Sequence, residues 1–311
     1  MTLTRRSFAT ALVAAPAALA LPRISLAHVT APAPTAQIQI GRFTVTFLSD
    51  GTGEVPLGFF QGPSPEELAA RALATGASAG ETLRLNFTQY LIEDGEQTIL
   101  VDAGPAGLIG ESGRLPGALS ALGVTPDRVD AVILTHTHFD HISGMLRDGT
   151  AVFPEADVYV DRRDIAYFTD PAERAAAPDF LHSSFDQTAA LVAAYPRLQQ
   201  TSGATQIASG IEIVDLTGHT PGHVGVRVSD AGQTLVISSD MLFHPAVHPE
   251  TMASFVFETD PAAAEAMRTR FFADAAAEGT LLAATHMPFP GLGRIVPDRG
   301  RLEWVPAEWV A

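Results

Sequence analysis

His136-Thr137-His138-Phe139-Asp140-His141 decides how this chain is read. Four metal-capable side chains fall within six residues. Neutral imidazole and carboxylate are common ligands of Zn²⁺, and thiolate is excluded because the chain has no Cys. A single His near a strand end is more often a hydrogen-bonded structural residue. Three His and one Asp packed this tightly are different: buried imidazoles and carboxylates need partners, and without a cation the cluster is costly. The preceding run, Val129-Asp130-Ala131-Val132-Ile133-Leu134-Thr135, is short, apolar and β-branched, and reads as a buried strand. The ligands therefore begin where a strand ends, which is where open α/β architectures bind their ligands.

Further candidates lie downstream. Gly218-His219-Thr220-Pro221-Gly222-His223 follows the apolar strand 211–216. The run Thr234 to Ser239 ends in Asp240, and Leu281 to Thr285 ends in His286. Taken singly, Asp240 reads equally as a helix cap and His286 as a satisfied core His. Their common placement at strand ends in one chain joins them to the hexapeptide.

These stretches, together with Ile99-Leu100-Val101-Asp102-Ala103-Gly104, resemble the metallo-β-lactamase fold superfamily from about Ile38 to Trp304. The resemblance implies an α/β (α+β) fold, a four-layer αββα sandwich, and a site for two divalent metal ions, with Zn the expected metal. By similarity His136, His138 and His219 hold one ion, Asp140, His141 and His286 hold the other, and Asp240 bridges them. His223 matches a family position that is usually not a ligand. Asp102 is expected either to orient a ligating His from outside the ligand set, as outer carboxylates do, or simply to cap its strand.

Absences narrow the branch. Two groups of the β-lactamases place a Cys at the metal, and the third usually lacks a bridging Asp where Asp240 stands. The nuclease and phosphodiesterase members need a surface that tolerates a polyanion, whereas this chain carries 35 acidic against 19 basic residues, a formal charge of −16. Lactonase, thioesterase and organophosphate-hydrolase members fit better. Leu48-Ser49-Asp50-Gly51-Thr52, Ala106-Gly107-Leu108-Ile109-Gly110 and His286-Met287-Pro288-Phe289-Pro290-Gly291-Leu292-Gly293 are most similar to the methyl parathion hydrolase group. Fold likeness speaks to ancestry more than to substrate.

Composition sets further bounds. A chain of 311 residues allows one large α/β domain or two small ones, and 46% hydrophobic content suffices for its core. All basic residues are Arg, so lysine Schiff-base or lysine-nucleophile chemistry is excluded. The acidity favours a small-molecule substrate over nucleic acid or an anionic membrane; a homodimer is left open. Thr4-Arg5-Arg6-Ser7-Phe8 followed by apolar Ala9 to Leu21 is a twin-arginine export pattern, with the apolar run too short to span a membrane. The expectation is a signal peptide over 1–27, a flexible lead-in over 28–36, a hydrolase domain over 37–311, and a periplasmic or secreted protein. Removing 1–27 deletes three Arg and no acid, so −16 − 3 = −19.

Periodicity predicts a strand pair over 38–48 turning at Gly41, a hairpin 87–92 and 97–102 across Asp94-Gly95, and a second hairpin 223–228 and 234–238 across Ala231-Gly232. It predicts helices over 115–122, 162–168, 187–194 and 261–277, the last capped by Asp260. Pro56 to Pro65 and Ala77 to Glu81 read as loops. Tyr167, Phe168, Phe180 and Phe185 are candidate pocket walls, and Phe139 and Phe243 are the expected substrate contacts. The resemblance implies hydrolysis by a metal-bridging hydroxide on an ester, lactone or phosphotriester, with Asp140 as catalytic proton carrier to the leaving group. Two alternatives stand beside it: an iron-dependent oxidoreductase of the sulfur dioxygenase type on the same fold, whose mono-iron members use fewer of these ligands, and a non-catalytic metal-binding protein.

Overall fold

The computed structural model describes residues 34–76 and 80–308. The expected signal peptide, most of the lead-in, and residues 77–79 of the expected loop lie outside the described residues. Two seven-stranded sheets form the centre. The first holds Thr35–Ile40, Phe43–Pro56, Thr82–Glu93, Thr98–Val101, Ala131–Ile133, Asp157–Asp161 and Gln199–Thr201. The second holds Thr205–Ala208, Ile211–Asp215, Val224–Asp230, Gln233–Ile237, Leu281–Ala283, Leu292–Asp298 and Arg301–Pro306. Strands lie side by side in chain order within each sheet, so each half of the chain builds its own sheet.

Side-chain alternation explains the layers. Tyr90, Ile92, Ile99, Val101 and Ile133 of the first sheet pack against Val224, Val226, Leu235, Ile237 and Ala283 of the second. The intervening residues Leu91, Leu100 and Val132 point the other way, onto Leu115 and Leu119 of the helix Leu115–Ala121 and Leu191 of His182–Ala194. Val236 and Leu282 likewise turn outward onto Phe272 and Ala275 of Pro261–Glu278. A period of two with both faces apolar requires a cover on each side. The result is the helix–sheet–sheet–helix order expected.

Local chemistry sets the ends. Asp260 accepts from Ala263 N at 3.0 Å, Pro261 opens the helix, and Gly279 closes it at φ +62°. A bulge between Ser49 and Gly51 leaves the Asp50 carboxylate buried, where it accepts from Gly113 N at 2.9 Å and Leu115 N at 2.5 Å. Gly51 sits at φ +129°, and a Cβ there would lie 2.0 Å from the Glu111 carbonyl, so no side chain fits.

Three boundaries differ from expectation. The first strand begins at Thr35, so Thr35 and Ala36 belong to the sheet and not to the lead-in. The last outer helix of the first half begins at His182, five residues before Gln187. A helix over Pro65–Ala74 was not foreseen, although Ser64, Pro65 and Glu67 carry its start signal: Ser64 Oγ accepts from Glu67 N at 3.2 Å. Among the described residues no helix is long and apolar enough to cross a membrane.

Candidate metal centre

The parallel strands aim their C-terminal ends at one place. Thr98–Val101, Ala131–Ile133 and Asp157–Asp161 run parallel in the first sheet, as do Gln233–Ile237 and Leu281–Ala283 in the second. The hexapeptide leaves the end of Ala131–Ile133, and a one-turn helix, Phe139–Ile142, starts behind His138. Asp240 leaves the end of Gln233–Ile237, His286 that of Leu281–Ala283, and His219 the turn after Ile211–Asp215. His286 Nδ1 pairs with the carbonyl of Asn86 at 2.9 Å, which ties the second sheet's loop to a strand of the first.

All seven expected ligands meet there. Their donor atoms form three sets, each within 4.8 Å: His136, His138 and His219; His136, His141 and Asp240; Asp140, His141 and His286. His138 Nδ1 lies 3.0 Å from both His136 Nε2 and His219 Nε2. Asp240 Oδ1 lies 3.2 Å from His141 Nε2, while Oδ2 lies 3.2 Å from His286 Nε2 and 3.3 Å from His219 Nε2. Asp140 Oδ2 lies 3.6 Å from His286 Nε2 and 3.8 Å from His141 Nε2. Asp240 thus stands between the two outer sets.

The donors fit cations better than they fit one another. A ring nitrogen offers one lone pair or one proton, so His138 Nδ1 cannot satisfy two neighbouring nitrogens at once. Burial pushes His136 and His138 well below the usual His range, aided by the neighbouring imidazoles, which leaves their lone pairs free. Burial also opposes charge on His141, His219 and His286, yet the carboxylates around them, Asp240 foremost, outweigh it and raise all three. At those three a proton and a cation compete for the same nitrogen. Imidazole and carboxylate donors suit zinc and similar divalent ions.

Outer partners hold the ligands. Asp102 is buried at the end of its strand. Its Oδ2 accepts from His141 Nδ1 at 2.8 Å, and its Oδ1 accepts from Thr135 N at 2.8 Å. Asp164 was not foreseen. Fully buried, it accepts from Thr137 N (2.9 Å), Thr220 Oγ1 (3.0 Å) and Gly222 N (2.6 Å), and so clamps both loops that supply the three-His set. Glu258 and Arg268 were also missed. They form a buried ion pair, with Glu258 Oε1 4.0 Å from His219 Nδ1. The sign of Arg268 was an arginine on the inward stripe Ala264, Arg268, Phe272, Ala275 of its helix. His223 lies behind the centre, its Nδ1 3.1 Å from the Leu216 carbonyl, and burial pushes it down to about 3.

A cavity of about 100 Å³ opens onto the centre, lined by His138, Asp140, Asp240 and His286 and walled by Phe59, Leu85, Phe87, Ile109, Phe139 and Phe257. Its only other charged group, Glu54, is paired with Arg84 at 2.9 Å. Phe139 stands where expected. Phe243 does not line this cavity: it is fully buried and stacks on His286 from behind, with centroids 5.3 Å apart and planes 5° apart. The irregular turn after Asp240 gave no period from which its direction could be read. Phe168 and Phe185 also turn inward, into a core cluster with Leu181 and with Tyr167 packed against it, whereas Phe180 is exposed and packs on Phe257 at 4.8 Å. Larger depressions of about 860 and 770 Å³ lie elsewhere, and neither holds a metal-ligating cluster among the described residues.

Known proteins resemble this chain in sequence and fold. Residues 88–295 match the Metallo-beta-lactamase superfamily. The probable metallo-hydrolase YqgX of Bacillus subtilis (strain 168) is 29% identical over 161 residues; the match covers 51% of this chain and 66% of that protein, just under two thirds of its length. The solved structure of the hydrolase AbOPH, of the beta lactamase superfamily, superposes with a TM-score of 0.83 at 27% identity, covering 90% of this chain and 99% of that one. The dizinc quorum-quenching lactonase AidC, solved with an N-hexanoyl-L-homoserine product, has the same TM-score and the same coverages at 23% identity, a likeness of fold.

Proposed function

The chain belongs to the metallo-beta-lactamase superfamily, and we propose that it is a metal-dependent hydrolase with two adjacent cation sites, acting on a neutral ester, lactone or phosphotriester. The observation that carries this reading is the meeting of six donor side chains around Asp240 at the floor of an apolar cavity. His136, His138 and His219 would hold one ion, Asp140, His141 and His286 the other, with Asp240 between them. Zinc is the ion this donor set favours.

Cations bound there supply Lewis acidity and lower the pKa of water enough to make hydroxide available near neutral pH. The chain's own residues do the rest. Phe59, Phe139 and Phe257 hold an apolar substituent and keep bulk water from the reacting group. Asp140 lines the cavity with its side chain 18% exposed, the most open of the expected ligands, so it can hold or pass a proton to a leaving oxygen. Among the described residues the cavity wall has no Arg, and the chain has no Lys, so an anionic substrate finds no Arg or Lys counter-charge there. This favours neutral substrates over phosphodiesters or nucleic acid.

Two finer readings belong to the same proposal. The methyl-parathion-hydrolase-like branch is supported by the stretch His286 to Gly293, and twin-arginine export by Thr4-Arg5-Arg6-Ser7-Phe8. The experiment is a hydrolysis panel on purified, zinc-loaded protein: acyl-homoserine lactones, aryl esters, thioesters and methyl-parathion-type triesters. Turnover of a neutral ester, lactone or triester that chelation abolishes supports the reading. No turnover on any of them, with two metals bound, sinks it.

A further inference from the structure

Ser239 sits one residue before Asp240 with φ +47°, in the left-handed region where a Cβ is strained and glycine is not. Glycine would hold this backbone freely. What the serine adds is a hydroxyl. Its Oγ lies 2.9 Å from Thr135 Oγ1 and 3.3 Å from Asp240 Oδ1. Thr135 Oγ1 lies in turn 2.8 Å from Asp102 Oδ2 and 3.1 Å from His136 Nδ1. Asp102 is itself left-handed at φ +60°. All five side chains are buried. Strain that persists at two positions flanking one hydroxyl points to a role for the groups it brings together.

Counting protons sets the direction of each bond. A carboxylate only accepts, so Thr135 donates to Asp102 Oδ2, the oxygen that also takes the Nδ1 proton of His141. Thr135 Oγ1 then has lone pairs left for the Nδ1–H of His136. With Nδ1 protonated, His136 presents Nε2, the nitrogen that faces His138 and Asp240, as a bare lone pair. One carboxylate therefore sets the tautomer of two imidazoles: His141 directly, and His136 through a hydroxyl. Ser239 gives its one hydroxyl proton to Asp240 Oδ1, the oxygen that faces His141, so its 2.9 Å approach to Thr135 Oγ1 is a packing contact with no proton left for a bond.

We propose that Thr135 and Ser239 are positioning residues of the metal centre: the Thr135 hydroxyl joins Asp102 to His136, the Ser239 hydroxyl holds Asp240, and the two pack together to keep those ligands in one preformed arrangement. The inference rests on the metal reading of the same site.

The test uses the full chain with Ser239→Gly, Ser239→Ala, Thr135→Val and Thr135→Ser. Zinc affinity is read by competition with a chromophoric chelator, the cobalt-substituted protein by its visible spectrum, and the metal-free fold by thermal unfolding. Both Ser239 variants are expected to weaken zinc binding by the same factor, about 10- to 100-fold, which is the range for outer partners of metal ligands. The metal-free Gly variant should nonetheless unfold at a higher temperature than the Ala variant, because only Ala keeps the backbone strain. Thr135→Ser should retain affinity and the cobalt spectrum, and Thr135→Val should lose both. Wild-type zinc affinity in Ser239→Gly overturns the proposal, as does affinity that merely follows thermal stability. Should Thr135→Val fail to fold, the Gly–Ala comparison still decides. A wild-type chain that binds no zinc brings down the metal reading and this inference together, whereas zinc binding without hydrolysis touches only the reading of activity.

Discussion

Arg268, in the middle of the helix Pro261–Glu278, donates through its Nη2 to the main-chain carbonyl of Asp240 at 3.1 Å. Its Nε reaches the next carbonyl, that of Met241, at 3.3 Å, and its other nitrogen pairs with Glu258. A helix that covers a sheet thus also fixes the backbone of the residue that joins the two ligand sets. Arg268→Met leaves Glu258 buried without its arginine and facing only His219, which costs about 3–5 kcal/mol, while the double change Glu258→Leu with Arg268→Met should recover most of it. Urea unfolding of the metal-free variants measures both. A single variant as stable as wild type refutes the account.

Asp240→Ala removes the carboxylate that lies between the two proposed ligand sets, 3.2 Å from both His141 Nε2 and His286 Nε2. The expectation is fewer than two metals per chain and a hydrolysis rate down by more than the roughly 100-fold seen when outer partners are lost. Elemental analysis beside a rate assay gives the answer. Two retained metals with an unchanged rate would contradict the shared role.

Metal affinity should fall as the solution is made more acidic. His141, His219 and His286 have raised pKa values because the attraction of Asp240 and its neighbours exceeds the cost of burial. Protons and cations then compete for the same nitrogens, and zinc binding is expected to release protons. Calorimetry of zinc binding in two buffers of different ionisation enthalpy counts them. Zero release would be inconsistent with protonated ligands.

Asp164 has a pH signature of its own. Burial lifts it to about 6 against the donors that bind it. The folded state then holds more protons than the unfolded state between about pH 4 and pH 6, so its contribution to stability declines as pH rises through that window. Asp164→Asn should lose this slope. It should also cost about 1–3 kcal/mol at neutral pH, because the amide nitrogen cannot accept from Thr137 N, Thr220 Oγ1 or Gly222 N. Thermal unfolding at several pH values tests both parts, and an unchanged slope counts against the burial argument.

Phe257→Ala opens the cavity wall and removes apolar contact with a bound substituent. The loss should be about 10-fold in kcat/KM for an aryl ester, mainly through KM, because the contact is made equally before and during the reaction. Steady-state kinetics on aryl and methyl esters separates the two parameters. A fall confined to kcat would argue that Phe257 shapes the centre and not the substrate pocket.

Local regularities made much of this molecule readable in advance. Both hairpins appear where Asp94-Gly95 and Ala231-Gly232 turn the chain, and the helix Pro261–Glu278 starts at its Asp-Pro cap. The helix Pro65–Ala74 was missed despite its Ser64 cap, because flanking Gly and Pro were read as loop throughout. Phe243 was misdirected because a turn has no period. Phe257 and Glu258 carry no local mark of function and matter only through what lies opposite them, while Arg268 is marked only by its place on the inward face of its helix.

The amino-acid sequence by itself determined which residues can bind metal and that they sit at strand ends, since donor spacing and strand period are both properties of neighbouring residues. The tertiary structure alone decided which atom of each ligand faces the centre. That choice depends on partners distant in the chain: Asp102 for His141 and Thr135, and the Asn86 carbonyl for His286, 200 residues away. A hydrogen bond needs its two atoms within about 3 Å, and only the packing of two sheets brings such pairs together.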